Sequence, residues 1–408
     1  MTTTLEMMPT AETETRPEVL AAEVVTIANR LENEFDPLCI GFREKVGVQV
    51  TPLLEVHTVP ISGHKLLLKN ETVHPCNAYK LRGMTSGTLV ALEQNPNLTG
   101  VCTGSAGNAA LGLAEAANKL DLDCTAHVKS ASSTVKQEDL RERGVNVVNH
   151  HESLPVALAG AERQAAKDNR TAFIHPFNQT EVMAGQATIM QEALRQLTEQ
   201  GYDLQNDVVD IVVTGGGLGL AAGSAAWLAF QKKLGNIGPG VRVTVAEIVR
   251  YTENGKLDKS QLPWCDGTAT TDGDKTRAIL DLYADQVGFI EVNETEVAQA
   301  MHELTAVLHK RIEPAGALAT AAIKKLAAQH PKSWLDEKGE VQYESQRTYV
   351  SVVSGANVSD ETYAVAEDLR RQAYEMTMQS LAMLVTDEAF TATADDPVDR
   401  RTRVASGI

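Results

Sequence analysis

The residue of this sequence with the clearest chemical potential is Lys80. It lies between strand-like residues 64–69 and helix-like residues 81–93, close to a strand-to-helix junction. A lysine amine in such a turn can take a proton or form an imine with an aldehyde. The alternative is an ordinary solvated lysine, which is the commonest environment of that side chain. Lys80 becomes a candidate for chemistry because distant segments of the chain carry matching signals.

The strongest of these signals is a run of glycines between a strand-like and a helix-like segment, Thr-Gly-Gly-Gly-Leu-Gly at residues 214–219. Adjacent glycines lose much conformational entropy on folding, which a plain turn does not require. Successive backbone N–H groups at a helix start can hold a phosphate, and that function explains the composition. No lysine follows, so the segment is not a P-loop, and its spacing is not Gly-x-Gly-x-x-Gly.

Three further segments of the chain carry signals of a ligand site. Residues 103–110, Thr-Gly-Ser-Ala-Gly-Asn-Ala-Ala, open a helix and can hold a substrate carboxylate, with the amide of Asn108 near a cofactor. Residues 354–357, Ser-Gly-Ala-Asn, end a strand, and residues 313–317, Glu-Pro-Ala-Gly-Ala, begin another helix. Each segment alone is compatible with an ordinary turn or helix start. Together with Lys80 they predict a site for pyridoxal phosphate, because lysine is its usual Schiff-base partner and glycine loops hold its phosphate.

Composition limits the possible partners. The chain has 408 residues and a net charge of −17, which disfavours nucleic acid and anionic membrane surfaces. Its five cysteines are scattered and contain no Cys-x-x-Cys pair, so we expect neither a disulfide framework nor a metal site. The N-terminus lacks a basic stretch before an apolar run, and the longest apolar run is too short to cross a bilayer. We therefore predict a cytoplasmic protein that acts on a small molecule.

Strand-like and helix-like segments alternate in two series, which predicts α/β units around parallel sheets and two domains with a cleft between them. Residues 252–276 are predicted as a long loop, residues 332–346 as a polar excursion and residues 361–384 as a helix. The residues after 360 are too few for a separate regulatory domain, so we expect none. The predicted organisation is a disordered tail at 1–17, a discontinuous large cofactor-binding domain at 18–99 and 180–385, a small domain at 100–179 and a polar tail at 386–408.

Taken in order, these motifs resemble the serine/threonine dehydratase group of fold-type II pyridoxal-phosphate enzymes, which includes threonine deaminase and serine racemase. Residues 184–192 also resemble the group's Ala-Gly-Gln-Gly-Thr-Ile segment. The resemblance spans roughly residues 48–360. It implies an α/β protein of two domains, each an open and mostly parallel sheet flanked by helices as in the tryptophan synthase β-subunit, with pyridoxal 5'-phosphate in the cleft. We also expect a homodimer or a higher homo-oligomer.

The same resemblance implies a function for each candidate residue. Lys80 forms the Schiff base and moves the α-proton of the substrate, Asn108 bonds the ring oxygen of the cofactor, and Ser354 faces its pyridine nitrogen. The backbone that holds the phosphate comprises Gly215, Gly216, Gly217 and Leu218. The groups that receive the substrate carboxylate are Ser105 and the backbone of Ala106 and Gly107.

The sequence also departs from the usual residues of the group in several of these segments. The departures are Cys76 and Asn77 before the lysine, Ala109 and Leu111 after Asn108, Thr214 before the glycines, and Ala356. The residues expected to bind the cofactor are retained. The changes therefore bear on the substrate, and they leave open which amino acid it is.

We predict an ammonia-lyase that performs β-elimination on threonine or serine and yields a 2-keto acid and ammonia. The hydroxyl of Ser354 cannot hold a full positive charge on the ring nitrogen, which favours loss of the β-hydroxyl over transamination. A β-replacement synthase that captures the aminoacrylate is the main alternative, while retention of Lys80 disfavours a non-catalytic relative. An amino-acid racemase needs a proton donor opposite Lys80, and the racemases of this group have a serine hydroxyl where this chain has Ala106.

Overall fold

The computed structural model describes residues 16–130, 132, 134–252, 255–257, 263–330, 333–335, 341–343 and 346–391. Its helices are α1 Pro17–Glu32, α2 Pro37–Ile40, α3 Lys80–Gln94, α4 Asn108–Lys119, α5 Thr134–Glu142, α6 Leu154–Lys167, α7 Thr180–Glu199, α8 Gly219–Lys233, α9 Asp274–Leu282, α10 Glu294–Leu308, α11 Pro314–Gln329 and α12 Asp360–Thr391. Its strands are β1 Leu53–Val56, β2 Lys65–Asn70, β3 Gly100–Gly104, β4 Asp123–Lys129, β5 Asn146–His151, β6 Thr171–Phe173, β7 Val209–Thr214, β8 Val241–Thr252, β9 Gly255–Leu257, β10 Val287–Asn293, β11 Ser333–Leu335, β12 Val341–Tyr343 and β13 Thr348–Val353.

The larger sheet has the strand order β1-β2-β13-β7-β8-β10, with β9 paired to β8. From β2 to β10 the neighbours on this path are parallel, and β1 is antiparallel to β2. Every residue of β13 is buried, as are the first five residues of β7. Strands that are apolar on both faces need helices on both sides of the sheet, which is the reason for their continuous Val and Ile runs.

The smaller sheet has the order β5-β4-β3-β6 and is parallel throughout. Helix α6 packs on β3 and β4. The turn between β3 and α4 contains the Ser-Ala-Gly-Asn motif, so this motif lies at the carboxyl end of a central strand. In open parallel sheets the ends of such strands are the usual ligand positions.

Helix α3 lies at the centre of the molecule and is buried along residues 81–90. It packs against α4 on one side and α7 on the other. A Cβ atom at Gly185 of α7 would overlap the carbonyl oxygen of Arg82, so only glycine allows the two helix backbones to approach this closely. This packing fixes the position of the α3 N-terminus, where Lys80 lies.

The predicted α/β class with mostly parallel sheets flanked by helices is confirmed. The long loop predicted at 252–276 is wrong in part: β8 continues to Thr252 and pairs with β9, a short 3₁₀ segment covers Pro263–Thr268, and α9 begins at Asp274. These elements are short, and a composition rich in Gly, Thr and Asp carries no periodic signal for them. The segment predicted as a polar excursion contains the antiparallel pair β11–β12.

Both predicted tails lie largely outside the residues that the structure describes. Helix α12 continues to Thr391, beyond the predicted start of the C-terminal tail, because residues 386–391 include good helix formers. The predicted N-terminal tail, up to residue 15, and residues 392–408 lie outside the described residues. Within the part of the chain that the structure describes, no helix combines the length and the apolar character that a membrane span requires.

Candidate active site

Lys80 is the first residue of α3 and is half-buried. Its Nζ donates a hydrogen bond to the carbonyl oxygen of Pro176 at 2.9 Å and lies 5.3 Å from the centre of the Tyr79 ring. Removal of water from around the amine lowers the pKa of Lys80 from 10.5 to about 8. A substantial fraction of this amine is therefore neutral near physiological pH, which suits a nucleophile or a base.

The backbone of α4 packs directly against Lys80 and Leu81. A Cβ atom at Gly112 would lie 2.9 Å from the amide nitrogen of Leu81 and 3.0 Å from the carbonyl carbon of Lys80. A glycine at this position allows α4 and the start of α3 to meet backbone to backbone. Since α4 begins at Asn108, this contact packs two predicted site segments against each other.

A cluster of buried charges anchors the first turn of α3, and we call it the ion cluster: Lys69, Glu71, Arg82 and Glu192. All four side chains are fully buried. Arg82 Nε lies 2.7 Å from Glu71 Oε2, and Arg82 Nη2 lies 2.8 Å from Glu192 Oε2. Lys69 Nζ lies 2.8 Å from the same Glu192 oxygen. These contacts tie α3 to the end of β2 and to α7.

A loop at residues 175–178 lies between Lys80 and the glycine segment. His175 Nδ1 accepts the backbone N–H groups of Phe177 at 3.3 Å and Asn178 at 2.9 Å. Burial, and then the positive charge of Lys80, lower the pKa of His175 to about 4. The imidazole is therefore neutral, with its proton on Nε2, and it holds the loop that presents the Pro176 carbonyl to Lys80. The sequence prediction missed this loop, although the His-Pro pair before the α7 start was a visible turn signal.

The glycine segment forms a tight turn into α8. The N–H of Gly215 donates to the carbonyl oxygen of Ala246 at 2.7 Å, so this residue continues the β7–β8 ladder. A Cβ atom at Gly217 would overlap the ring of Phe177. Leu218 adopts a left-handed conformation with φ of 64°, and α8 begins at Gly219. The first-turn amides of an α-helix have no acceptor within the helix, so the start of α8 is a position at which an anion can bind.

Ser354 and Asn108 approach Lys80 from other elements. Ser354 follows β13, and its Oγ accepts the backbone N–H of Tyr79 at 2.9 Å. One hydroxyl proton of Ser354 remains to be donated. The Asn108 amide is held by Glu313, whose Oε2 accepts from Asn108 Nδ2 at 3.0 Å, and by Asn357, whose Nδ2 donates to Asn108 Oδ1 at 2.7 Å. Ser354 therefore lies at the α3 N-terminus, and Asn108 is linked through Asn357 to the carbonyl of Cys76, four residues before Lys80.

The predicted carboxylate cradle, residues 105–107, is half-buried at the start of α4. The backbone N–H of Gly107 donates to Ser105 Oγ at 3.2 Å. A Cβ atom at Gly107 would have no neighbour within 4 Å, in contrast to Gly217. The cradle thus borders open space at a helix N-terminus, where a carboxylate can be accommodated.

Comparisons with known proteins identify the family of this chain. Residues 45–338 match the family described as "Pyridoxal-phosphate dependent enzyme". The biosynthetic L-threonine dehydratase of Pasteurella multocida is 31% identical over 326 residues, which cover 77% of this chain and 57% of that protein. The catabolic L-threonine dehydratase of Staphylococcus aureus is 30% identical over 318 residues, which cover 76% of this chain and 85% of that protein.

Among solved structures, the processed form of threonine deaminase isoform 2 from Solanum lycopersicum superimposes with a TM-score of 0.65. At 21% identity, with 85% of this chain and 93% of that chain covered, this likeness shows a shared fold. The chain spans 57% of the length of the Pasteurella relative, which is therefore a considerably longer protein.

Proposed function

The chain belongs to the family of pyridoxal-phosphate dependent enzymes, within the group of serine and threonine dehydratases, and from this premise we propose that it is an ammonia-lyase. The proposed reaction is β-elimination on threonine or serine, which yields a 2-keto acid and ammonia. The observation that carries the proposal is the amine of Lys80, half-buried at a helix start, with a lowered pKa, beside a loop that packs on the glycine segment.

The residues present fit pyridoxal phosphate in their chemistry. A side chain at position 217 would overlap the Phe177 ring, so glycine allows the tight turn into α8, whose first amides we assign to the phosphate. Lys80 supplies an amine for the aldehyde, Ser354 retains a hydroxyl proton for the ring nitrogen, and Asn108 retains one amide hydrogen for the ring oxygen. We assign Gly216, Gly217 and Leu218 to the phosphate, with Gly215 as the structural start of the loop.

In the proposed mechanism the chain holds the substrate and moves one proton. When bound, the cofactor supplies an electron sink conjugated to the α-carbon of the amino acid. The Lys80 amine takes the α-proton, a step favoured by a pKa of about 8. The Pro176 carbonyl orients that amine. Residues 105–107 hold the carboxylate, and the uncharged Ser354 hydroxyl keeps the sink weak, which favours elimination. Lys80 passes the proton that it has taken to the β-hydroxyl, which leaves as water.

The arrangement also favours elimination over racemisation. Ala106 has no proton to return to the far side of the α-carbon, and we assign the neighbouring Ser105 hydroxyl to the carboxylate of the substrate. We expect the D-enantiomer to form much more slowly than keto acid when L-threonine or L-serine is incubated in deuterated water and followed by chiral analysis. Faster appearance of the D-enantiomer would identify Ser105 or another residue as a second acid.

The direct test of the proposed function is a panel of L-amino acids scored for keto acid and ammonia. The expected result is equal amounts of both products from threonine or serine. A parallel incubation of serine with a thiol or an amine addresses the alternative. Formation of a new amino acid in place of keto acid would assign the enzyme to β-replacement chemistry.

The pKa of Lys80 predicts the pH dependence of cofactor capture. Below pH 8 the amine is protonated and unreactive, and above pH 8 it is neutral, so the rate of capture should rise with pH around a midpoint near 8. The rate is measured by absorbance after mixing cofactor-free protein with pyridoxal phosphate. Division by the rate constant of a free alkyl amine, expressed per neutral amine at each pH, removes the cofactor's own ionisation. A midpoint near the ordinary lysine value of 10.5 would contradict the environment described for Lys80.

We also propose that residues 100–179 act as a small domain that closes on the cofactor, with 18–99 and 180–385 as the large domain. The support is that β3 to β6 form their own sheet within residues 100–173. Closure would exclude water from the reaction. The homo-oligomeric state and the cytoplasmic location remain predictions of the sequence analysis.

A further inference from the structure

Four polar side chains form a continuous line that ends at Asn108, and we call them the amide chain: Lys310, Asn77, Asn357 and Asn108. Lys310 Nζ donates to Asn77 Oδ1 at 2.6 Å, Asn77 Nδ2 donates to Asn357 Oδ1 at 2.8 Å, and Asn357 Nδ2 donates to Asn108 Oδ1 at 2.7 Å. Asn108 Nδ2 then donates to Glu313 Oε2 at 3.0 Å. The members come from four separate segments, so the line exists only in the folded protein.

Every bond of the amide chain points in the same direction. An asparagine amide can be turned around, so its orientation must be fixed by groups that only donate or only accept. Lys310 can only donate, which sets the oxygen of Asn77 toward it. The Cys76 carbonyl can only accept, and it takes Asn357 Nδ2 at 2.8 Å. An ionised Glu313 can only accept, which sets the nitrogen of Asn108 toward it. These three anchors agree on one orientation for each amide.

The backbone around the chain holds its members in place. The N–H groups of Gly355 and Ala356 both donate to the carbonyl oxygen of Asn77 at 3.1 Å. Asn77 itself has a φ of 55°, a left-handed conformation that asparagine tolerates better than most residues. The N–H of Asn357 donates to Glu313 Oε1 at 2.7 Å. Asparagine at position 77 therefore suits both the backbone and the side-chain line, which explains one of the departures found in the sequence.

We infer that the amide chain fixes Asn108 so that its second amide hydrogen is directed to the ring oxygen of pyridoxal phosphate, with Lys310 and Asn77 as positioning residues. This inference rests on the proposed function. An amide nitrogen has two hydrogens, and Glu313 takes one of them. A donor beside the ring oxygen favours its ionised form. Aligned hydrogen bonds also polarise one another, so the Lys310 charge strengthens the donor at the far end.

The most selective test is Asn77→Asp, which changes one group far along the line from the cofactor. Aspartate still accepts from Lys310 but has no hydrogen for Asn357 Oδ1, so two oxygens face each other and repel, which displaces Asn357 and weakens its hold on Asn108. We expect about tenfold weaker binding of pyridoxal phosphate, measured by visible absorbance titration. The pH at which the visible band of the bound cofactor changes should rise by about 1.

Substitutions of Lys310 test the same line from its other end. Lys310→Met removes the donor and should reproduce both changes, whereas Lys310→Arg keeps a group that only donates and should remain near the wild type. Lys324→Met is the matched control, because Lys324 is a half-buried lysine paired with Glu303 and has no bond to the line. It should bind the cofactor like the wild type. Thermal unfolding of each protein confirms that it is folded, and Lys310→Met carries the test if Asn77→Asp does not fold.

The outcomes separate the inference from the proposed function. If Asn77→Asp and Lys310→Met both keep the affinity and the spectral transition of the wild type, the amide chain does not position Asn108 and the inference is overturned. If the wild-type protein takes up no pyridoxal phosphate, the proposed function itself fails. Weaker binding in both variants, with normal behaviour of Lys310→Arg and Lys324→Met, supports the positioning function.

Discussion

Replacing Lys80 by alanine should lower the rate of keto-acid formation from threonine by at least about a thousandfold. The substitution removes both the amine that attaches the cofactor and the base that takes the α-proton. His175 is neutral but its Nδ1 is occupied by two backbone N–H groups. The fold should change little, because Lys80 occupies the first position of α3 and alanine is a good helix former.

A second lysine provides the control for this substitution. Lys325 is also half-buried and donates to a backbone carbonyl, that of Glu291, at 2.8 Å. Lys325→Ala should retain most of the activity, and both variants should unfold at a similar urea concentration. If Lys80→Ala retained a tenth or more of the wild-type rate, Lys80 could not be the base of the proposed mechanism.

The largest effect on stability is expected for Arg82→Met. Arg82 neutralises Glu71 and Glu192 in the ion cluster, and all three side chains are fully buried. Methionine fills part of the volume but leaves buried carboxylates without their main partner. Removal of one member of a buried ion pair costs about 3–5 kcal/mol of unfolding free energy. Urea unfolding at pH 7 measures this loss.

A surface arginine on the same helix as Glu192 gives the comparison. Arg195 pairs with Glu32 at 3.3 Å, and 46% of its side chain is exposed. Arg195→Met should cost no more than about 1 kcal/mol, because water already screens that pair. Equal losses in the two variants would show that burial does not determine how much the ion cluster contributes to the free energy of unfolding.

The pH dependence of unfolding follows from the same cluster. Burial by itself raises the pKa of Glu192, but the Arg82 guanidinium outweighs it and lowers this pKa from 4.5 to about 2, and the pKa of Glu71 is also lowered. A carboxyl whose pKa is lowered by folding stabilises the protein fully above pH 4.5. That contribution is lost as the pH falls from 4.5 to about 2.

Arg82→Met should reverse this dependence over part of the pH range. Without the guanidinium, burial raises the pKa of Glu71, and the His74 imidazole, whose Nε2 lies 3.3 Å from Glu71 Oε2, opposes this only in part, so protonation of this carboxyl becomes more favourable in the folded state. The variant should therefore become more stable between pH 7 and pH 5, where the wild type changes little. Urea unfolding across pH 3–7 measures both curves, and parallel curves would contradict the assignment of Arg82 as the partner of Glu71.

The sequence predicted the elements of the site better than the contacts between them. Lys80 at a strand-to-helix junction and the helix at Asn108 were recognised because turn chemistry and helix starts leave local signals in the sequence. The ion cluster and the amide chain were not predicted. Arg82 and Glu192 are 110 residues apart and Asn77 and Asn357 are 280 residues apart, and such pairs have no shared periodicity. The short elements within 252–276 were missed for lack of any pattern.

Borohydride reduction of the holoenzyme, followed by mass mapping of its peptides, tests the central claim most directly. Reduction converts the imine between a lysine and pyridoxal phosphate into a stable amine, so the modified residue can be located. The account predicts a single label, on Lys80. A label on another lysine, or no label after pyridoxal phosphate has been supplied, would contradict it.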